Sequence, residues 1–370
     1  MKIALVLDDS IDRPDGVQQY VRSLRSYLER VGHEVHVLCS VSSSADPHVH
    51  SLARNASVRF NGNGLRTPLP ASRRAIREVL AAEDFDVIHV QTPHSPVFAG
   101  RVVEEARKLR ARSVRIVATF HILPDGRVSE WGTKALGVAL RKNLRKFDAF
   151  AAVSAPAAAF AAASFGIDCR VIPIGIDLGA FRRVPERERG RLRVAFLGRL
   201  VERKGVLELL EALPLLEQDL LDRLDVRIAG RGPLLDEAEN AVVRNDLADV
   251  VSFVGFVSEE DKPQFLADAD IAVFPATGGE SFGIVLIEAM ASGAGVVLAG
   301  ANPGYLSVIG PRPEVSVDAT DATAFAAALT RLVEDAALRE ELHAAQQEHV
   351  KSFDLDLVGA RVMRELYGVE

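Results

Sequence analysis

Cys39 and Cys169 are the only cysteines among 370 residues. So few thiols exclude a disulfide framework and a cysteine-built metal cluster, and they suit a reducing compartment such as the cytoplasm. Long apolar runs are equally scarce. Met1–Asp9 meets two acids after a run too short for the core of a secretion signal, and it is expected to be a first β-strand. Residues 149–167 carry no charge and approach the length that spans a bilayer, about 20 residues. They are mostly alanine, however, broken by Ser154, Pro156 and Ser164, which reads as a strand end, a turn and a buried helix. No clustered His and Asp set calls for an obligatory divalent ion. Asp268-Ala269-Asp270 has the spacing of a metal-binding D-x-D but reads as a helix end entering a strand.

What is present describes a folded protein of two domains. A hydrophobic share of 48% beside 26% charged residues is that of a globular chain, and the length exceeds one ordinary core. Residues 1–175 hold 24 basic and 17 acidic side chains, a balance of +7; the rest hold 20 and 34, a balance of −14. A basic first half within an acidic protein points to an anionic partner for that half, with no nucleic acid expected.

Aliphatic residues 2–7 have the pattern of a strand covered on both faces. After Gly16, apolar residues at Val17, Tyr20, Val21, Leu24, Leu28 and Val31 recur at helical spacing until Gly32, and 34–39 reads as the next strand. Further strands are expected at 86–90, 115–120 and 149–153. The pattern restarts with strands at 194–198, 225–229, 250–254, 271–274 and 296–298. The predicted fold class is therefore α/β, with two Rossmann-like doubly wound domains facing across a cleft: residues 1–175, a hinge over 176–191, residues 192–352, and a final helix within 353–370 that crosses back to the first domain.

The segment from Gly279 to Glu288 carries the most chemistry. A glycine-punctuated loop runs into an apolar helix expected over 284–292, so Gly283 sits where free N–H groups and the positive end of a helix dipole suit a phosphate. Glu280 precedes that point and Glu288 follows it, and the two carboxylates can take hydroxyls on either side of a bound diphosphate. After the strand ending at Gly198 come Arg199 and Lys204, a bidentate fork and a mobile point charge that can neutralise a diphosphate leaving group. Residues 257–262 follow another strand where a nucleotide base is expected; Ser258 capping a helix with acids in its first turn is the alternative. Taken alone, His121 at a strand end is more often structural than catalytic.

The string from Gly198 to Gly205, the Gly230-Arg231-Gly232 turn and the Gly278–Met290 run together resemble the family-4 retaining glycosyltransferases of the GT-B fold, over essentially the whole chain. Residues 14–20, 84–90 and 116–121 are most similar to the phosphatidylinositol mannosyltransferase branch. The resemblance implies catalytic roles for His121, Glu280, Arg199 and Lys204. It implies donor contacts from Gly16, Arg199, Lys204, Val257, Glu259, Lys262, Glu280, Ser281, Phe282, Gly283, Ile284, Val285 and Glu288. It also implies a nucleotide-sugar donor, GDP-mannose ahead of a UDP-sugar, with no obligatory cofactor or metal. No side chain stands out as a covalent nucleophile.

The acceptor end departs from that pattern. Residues 91–94 replace an acid-containing segment, 122–126 replace a Ser/Thr-rich loop, Asp15 stands for a glycine and Ile174 for an asparagine. The implied acceptor is a membrane lipid such as phosphatidylinositol or another carbohydrate. Gln18, Arg66, Arg73, Arg74 and Arg77 are acceptor or membrane candidates, as is the basic and apolar segment 131–146, which suits an anionic bilayer surface on the inner face of the membrane. A soluble enzyme of the same family and a non-catalytic nucleotide-sugar-binding protein stand as alternatives.

Overall fold

The computed structural model describes the chain except residues 14, 61–62, 92, 110–113, 124–142, 187–189, 311, 313 and 370, and gives the backbone alone over 56–68. It comprises two compact units, Met1–Gly175 with Leu355–Glu370, and Ile176–Asp354. The final segment thus belongs to the first unit.

In the first unit the strands are β1 (Lys2–Leu7), β2 (Glu34–Cys39), β3 (Val49–Ser51), β4 (Asn55–Phe60), β5 (Asn63–Pro68), β6 (Val87–Val90), β7 (Arg115–Phe120), β8 (Ala149–Ala152) and β9 (Arg170–Val171). Seven of them form one sheet in the order β3-β2-β1-β6-β7-β8-β9, parallel throughout, while β4 and β5 pair separately. The second unit contains β10 (Leu192–Leu197), β11 (Leu224–Ala229), β12 (Val251–Gly255), β13 (Ile271–Phe274), β14 (Val296–Gly300) and β15 (Ser316–Val317), ordered β12-β11-β10-β13-β14-β15 and again parallel. The expected pair of doubly wound sheets is present. Strands such as Ile3–Leu7 and Ile271–Phe274 are buried along their length because helices cover both faces, which is why they read as unbroken aliphatic runs.

Strand order reverses between β1 and β6 in one unit and between β10 and β13 in the other. The carboxyl ends of strands flanking such a switch point open a crevice for ligands. The loops there are the ones the sequence marks: Asp8–Asp15 after β1, Gln91 after β6, Gly198–Gly205 after β10 and Pro275–Gly283 after β13.

The charge-free stretch is the expected strand and helix, β8 followed by Ala155–Phe165, whose N-terminus Ser154 caps at Ala157 N. No helix among the described residues is long and apolar enough to cross a membrane. The β4–β5 hairpin lies outside the strands expected from the sequence. Its antiparallel register runs from Asn55 opposite Pro68 to Phe60 opposite Asn63. Ser258 accepts from Asp261 N, so it caps the turn before the helix Lys262–Ala267 and not that helix itself.

Candidate active site

In the second unit, β10 ends in a loop that tightens into one 3-10 turn, Glu202–Lys204, and stops at Gly205 with φ 76°. A Cβ on Gly205 would lie 1.9 Å from the Pro275 carbonyl oxygen, so only glycine lets this turn back onto the loop leaving β13. That packing brings two sequence motifs together. Lys204 Nζ lies 2.8 Å from Glu280 Oε1, and the Arg203 guanidinium grips the same oxygen. Burial holds the Lys204 ammonium's pKa below its ordinary value, and the Glu280 carboxylate opposes that shift only in part. Arg203 is a residue the sequence reading passed over. Arg199 is exposed at the mouth of the loop.

The loop after β13 is held from below. Asn302 donates to the Ala276 carbonyl at 3.0 Å while capping the helix Pro303–Ile309, and a Cβ on Gly304 would lie 1.9 Å from the Glu280 carbonyl oxygen. Gly283 has φ 131°, and a Cβ there would meet the buried Tyr305 ring at 2.6 Å. These contacts set the start of the helix Ile284–Ser292, whose first N–H groups have no partner within the helix. Phe282 and Gly283 are buried, while Ser281, Ile284 and Val285 are half-buried.

Glu288 lies about one turn inside that helix and is 3% exposed. The chain buries it against a cation: Lys262 Nζ is 2.7 Å from Glu288 Oε1 and 2.7 Å from Glu259 Oε2, with its charge over the Phe181 ring. Burial pushes the Glu288 carboxyl up to about 7, a rise that Lys262 opposes only in part. Burial opposes charge on Lys262 too, but Glu288 and Glu259 hold its pKa above the ordinary value. Val257 is half-buried and Glu259 exposed beside this pair. Lys262 thus links the loop that holds Glu259 to the glutamate on the helix.

The first unit has a second polar centre at its switch point. His121, just past β7, is 9% exposed; its Nε2 is 2.9 Å from Gln91 Oε1 and its ring meets Tyr20 edge-on at 4.8 Å. A carbonyl oxygen only accepts, so Nε2 carries the proton and Nδ1 is left as an acceptor. Fully buried His89 bonds the Tyr367 hydroxyl through Nδ1 at 2.9 Å and Thr119 Oγ1 through Nε2 at 2.8 Å. Burial, with smaller repulsion from neighbouring imidazoles, drives His89 and His121 down to about 3. Both are neutral at physiological pH. Gly16 opens the helix Gly16–Arg30 directly after the β1 loop.

The acceptor candidates fare differently. Gln18 is 3% exposed and donates to the Ser10 carbonyl at 3.0 Å, so it shapes the β1 loop and presents no amide outward. Arg73 and Arg77 reach Glu105, whose side chain is wholly buried, at 2.8 and 2.9 Å, and Arg74 pairs with Glu78. The basic face expected for a bilayer is therefore largely neutralised by acids of its own unit. The Arg66 side chain and residues 131–142 lie outside the described residues.

Two parallel α/β units, each with a polar centre at its switch point, are an architecture that many activities share, and the comparisons with known proteins narrow it. The description "Glycosyltransferase Family 4" matches residues 14–180 and "Glycosyl transferases group 1" matches 179–349. The chain is 35% identical to the phosphatidyl-myo-inositol mannosyltransferase of Mycolicibacterium smegmatis, over 98% of this chain and 93% of that one. It is 28% identical to the GDP-mannose-dependent alpha-(1-6)-phosphatidylinositol monomannoside mannosyltransferase of the same organism, over 90% of this chain and 89% of that one. The Anabaena protein HepE, solved with UDP and glucose, superposes with a TM-score of 0.77 at 19% identity, covering 100% of both chains. The chain belongs to the family-4 glycosyltransferases.

Proposed function

We propose that the protein moves mannose from GDP-mannose to a phosphatidylinositol-type lipid with retention of anomeric configuration. The observation that carries this reading is the 35% identity to a phosphatidyl-myo-inositol mannosyltransferase along nearly the whole chain, joined to the cation and carboxylate grip in the second unit. In that grip Arg199 and Lys204 take the donor diphosphate, the N-terminus of the helix Ile284–Ser292 takes phosphate and sugar through its backbone, and Glu288 takes the ribose. Without donor, Glu280 neutralises Arg203 and Lys204. An arriving diphosphate draws those cations away and frees the Glu280 carboxylate for sugar hydroxyls. Val257, Glu259 and Lys262 border the base.

Catalysis then needs no metal of its own. As the sugar–phosphate bond breaks, fixed cations and N–H groups stabilise the charge that develops on the diphosphate, the largest contribution such sites make. The departing phosphate accepts the proton of the acceptor hydroxyl on the same face of the sugar, which preserves the anomeric configuration. His121, neutral and with Nδ1 as its acceptor, supports the cationic sugar or orients the acceptor hydroxyl.

A second reading is a soluble enzyme of the same family using a UDP-sugar; the full-length superposition on a protein holding UDP and glucose favours it. Calorimetry with GDP, UDP, ADP and their sugar derivatives separates the two. GDP-selective binding followed by labelled mannose entering phosphatidylinositol vesicles, with an α-anomeric product by NMR, is the expected result. Selective UDP binding overturns the mannose assignment, and inversion overturns the proposed stereochemical course.

A further inference from the structure

The amino-terminal edge of the first sheet holds a cluster with no part in the glycosyltransferase centre. His36 lies on β2, His50 on β3 and His48 just before it; Glu34 opens β2, Glu83 ends the helix Arg73–Glu83, and Lys2 opens β1. Gly16, Gln91 and His121 follow the opposite, carboxyl ends of strands in this sheet. We propose that Glu34, His36, His48 and Glu83 form a binding site for a divalent transition-metal ion of the zinc type, with His50 orienting His36.

Geometry argues first. The ligand atoms of Glu34, His36 and His48 all lie within 4.8 Å of one another, as do those of His36, His50 and Glu83. His36 Nε2 is 2.9 Å from Glu34 Oε1 and 3.7 Å from Glu83 Oε2. A tetrahedral zinc ion with bonds of about 2.0–2.1 Å holds its ligand atoms roughly 3.3 Å apart, a spacing those two distances bracket. The His48 ring stands 4.5 Å from His36, centroid to centroid.

Orientation argues second. His36 is 2% exposed, and its Nδ1 is 2.9 Å from His50 Nε2, the two rings nearly parallel at 6°. One of these nitrogens must donate. A carboxylate only accepts, so in the metal-free chain Nε2–H of His36 donates to Glu34 and Nδ1 takes the His50 proton. A bound ion displaces the Nε2 proton, and His36 then donates Nδ1–H to His50, the outer partner that fixes the tautomer of a metal-bound imidazole. Phe85 packs edge-on against the same ring at 5.3 Å and limits its rotation. Two imidazoles and two carboxylates suit zinc, cobalt or nickel, whereas magnesium and calcium prefer an all-oxygen shell.

The cation now between the carboxylates is Lys2, whose Nζ is 2.9 Å from Glu34 and 3.0 Å from Glu83. Its side chain is 27% exposed on a flexible stem, so a divalent ion can displace it into solvent. The bound ion would then tie β2, the edge strand β3 and the helix end together.

Untagged full-length protein, stripped with a chelator and dialysed, is titrated with zinc chloride by calorimetry and its bound metal counted by mass spectrometry. The expected result is one zinc ion per chain, a higher melting temperature, and visible d–d bands when cobalt replaces zinc. His48→Ala and Glu34→Gln change partly exposed side chains; each should keep the metal-free melting temperature while weakening zinc binding at least about tenfold. Lys2→Gln removes the competing ammonium and should tighten binding. Absence of uptake overturns the proposal, as does uptake indifferent to both ligand substitutions. If Lys2→Gln lowers the melting temperature without tightening zinc binding, the carboxylates belong to Lys2 and the metal site does not exist.

Discussion

The two units carry polar centres at equivalent places in equivalent sheets, yet build them from opposite materials. The second unit uses charge: Arg203 and Lys204 share Glu280, and Lys262 bridges Glu259 and buried Glu288. The first unit uses neutral groups: Gln91 on His121, and His89 between Tyr367 and Thr119. The contrast follows from what each would hold. A diphosphate demands compensating charge that must already be in place and discharged against something when no ligand is bound. A hydroxyl acceptor asks only for directed hydrogen bonds, and a charged imidazole buried at this depth would cost several kcal/mol.

The sharpest way to break the comparison is Glu280→Ala. Sugar transfer should fall about a thousandfold or more with an unchanged circular dichroism spectrum, while the melting temperature drops somewhat, because the change also leaves Arg203 and Lys204 without their shared carboxylate. A wild-type transfer rate would remove Glu280 from the site. Next in size is the buried pair. Glu288→Leu leaves the buried Lys262 ammonium with exposed Glu259 alone and should cost roughly 3 kcal/mol in denaturant unfolding; adding Lys262→Met should recover most of that stability without recovering nucleotide binding. Recovery of both would make the pair purely structural.

The neutral centre is tested by pH. His89 and His121 titrate near 3 in the folded protein against an ordinary value of about 6.5 when unfolded. Between those values the unfolded chain binds protons that the native chain refuses, so stability must fall as pH drops. At pH 5 the loss should approach about 2 kcal/mol for each of these imidazoles, and His121→Gln should flatten the calorimetric profile by about one such share. An unchanged profile would mean that His121 is protonated in the fold. The smallest effect is expected at the exposed Arg74–Glu78 pair. Arg74→Ala should change stability by less than about 0.5 kcal/mol, whereas Arg73→Ala with Arg77→Ala leaves buried Glu105 with Lys108 as its remaining cation partner among the described residues and should destabilise the protein far more than it alters binding to anionic vesicles.

Legibility divided along the same line. The second-unit motifs are contiguous: the residues 198–205 and 278–290 carry their glycines, cations and acids within two short strings, so spacing alone marks them. Arg203 escaped notice beside Lys204 because nothing in a string says which of two neighbouring cations turns toward Glu280. The first-unit centre is scattered over Tyr20, His89, Gln91, Thr119, His121 and Tyr367, and no local pattern joins them. Likewise the arginines of the helix Arg73–Glu83 read as a free basic face because their partner, Glu105, lies on another helix.

Periodicity and glycine placement in the sequence by themselves determined two parallel α/β units and their switch-point loops. Backbone propensity and hydrophobic spacing are local, so a linear string can carry them. Only the tertiary structure decided which charges meet: that Lys262 is spent on Glu288, that Gln91 sets the tautomer of His121, and that three histidines and two glutamates gather at one sheet edge. Such pairings depend on register between strands and on helices packed from distant parts of the chain, and burial then multiplies the energetic weight of each one.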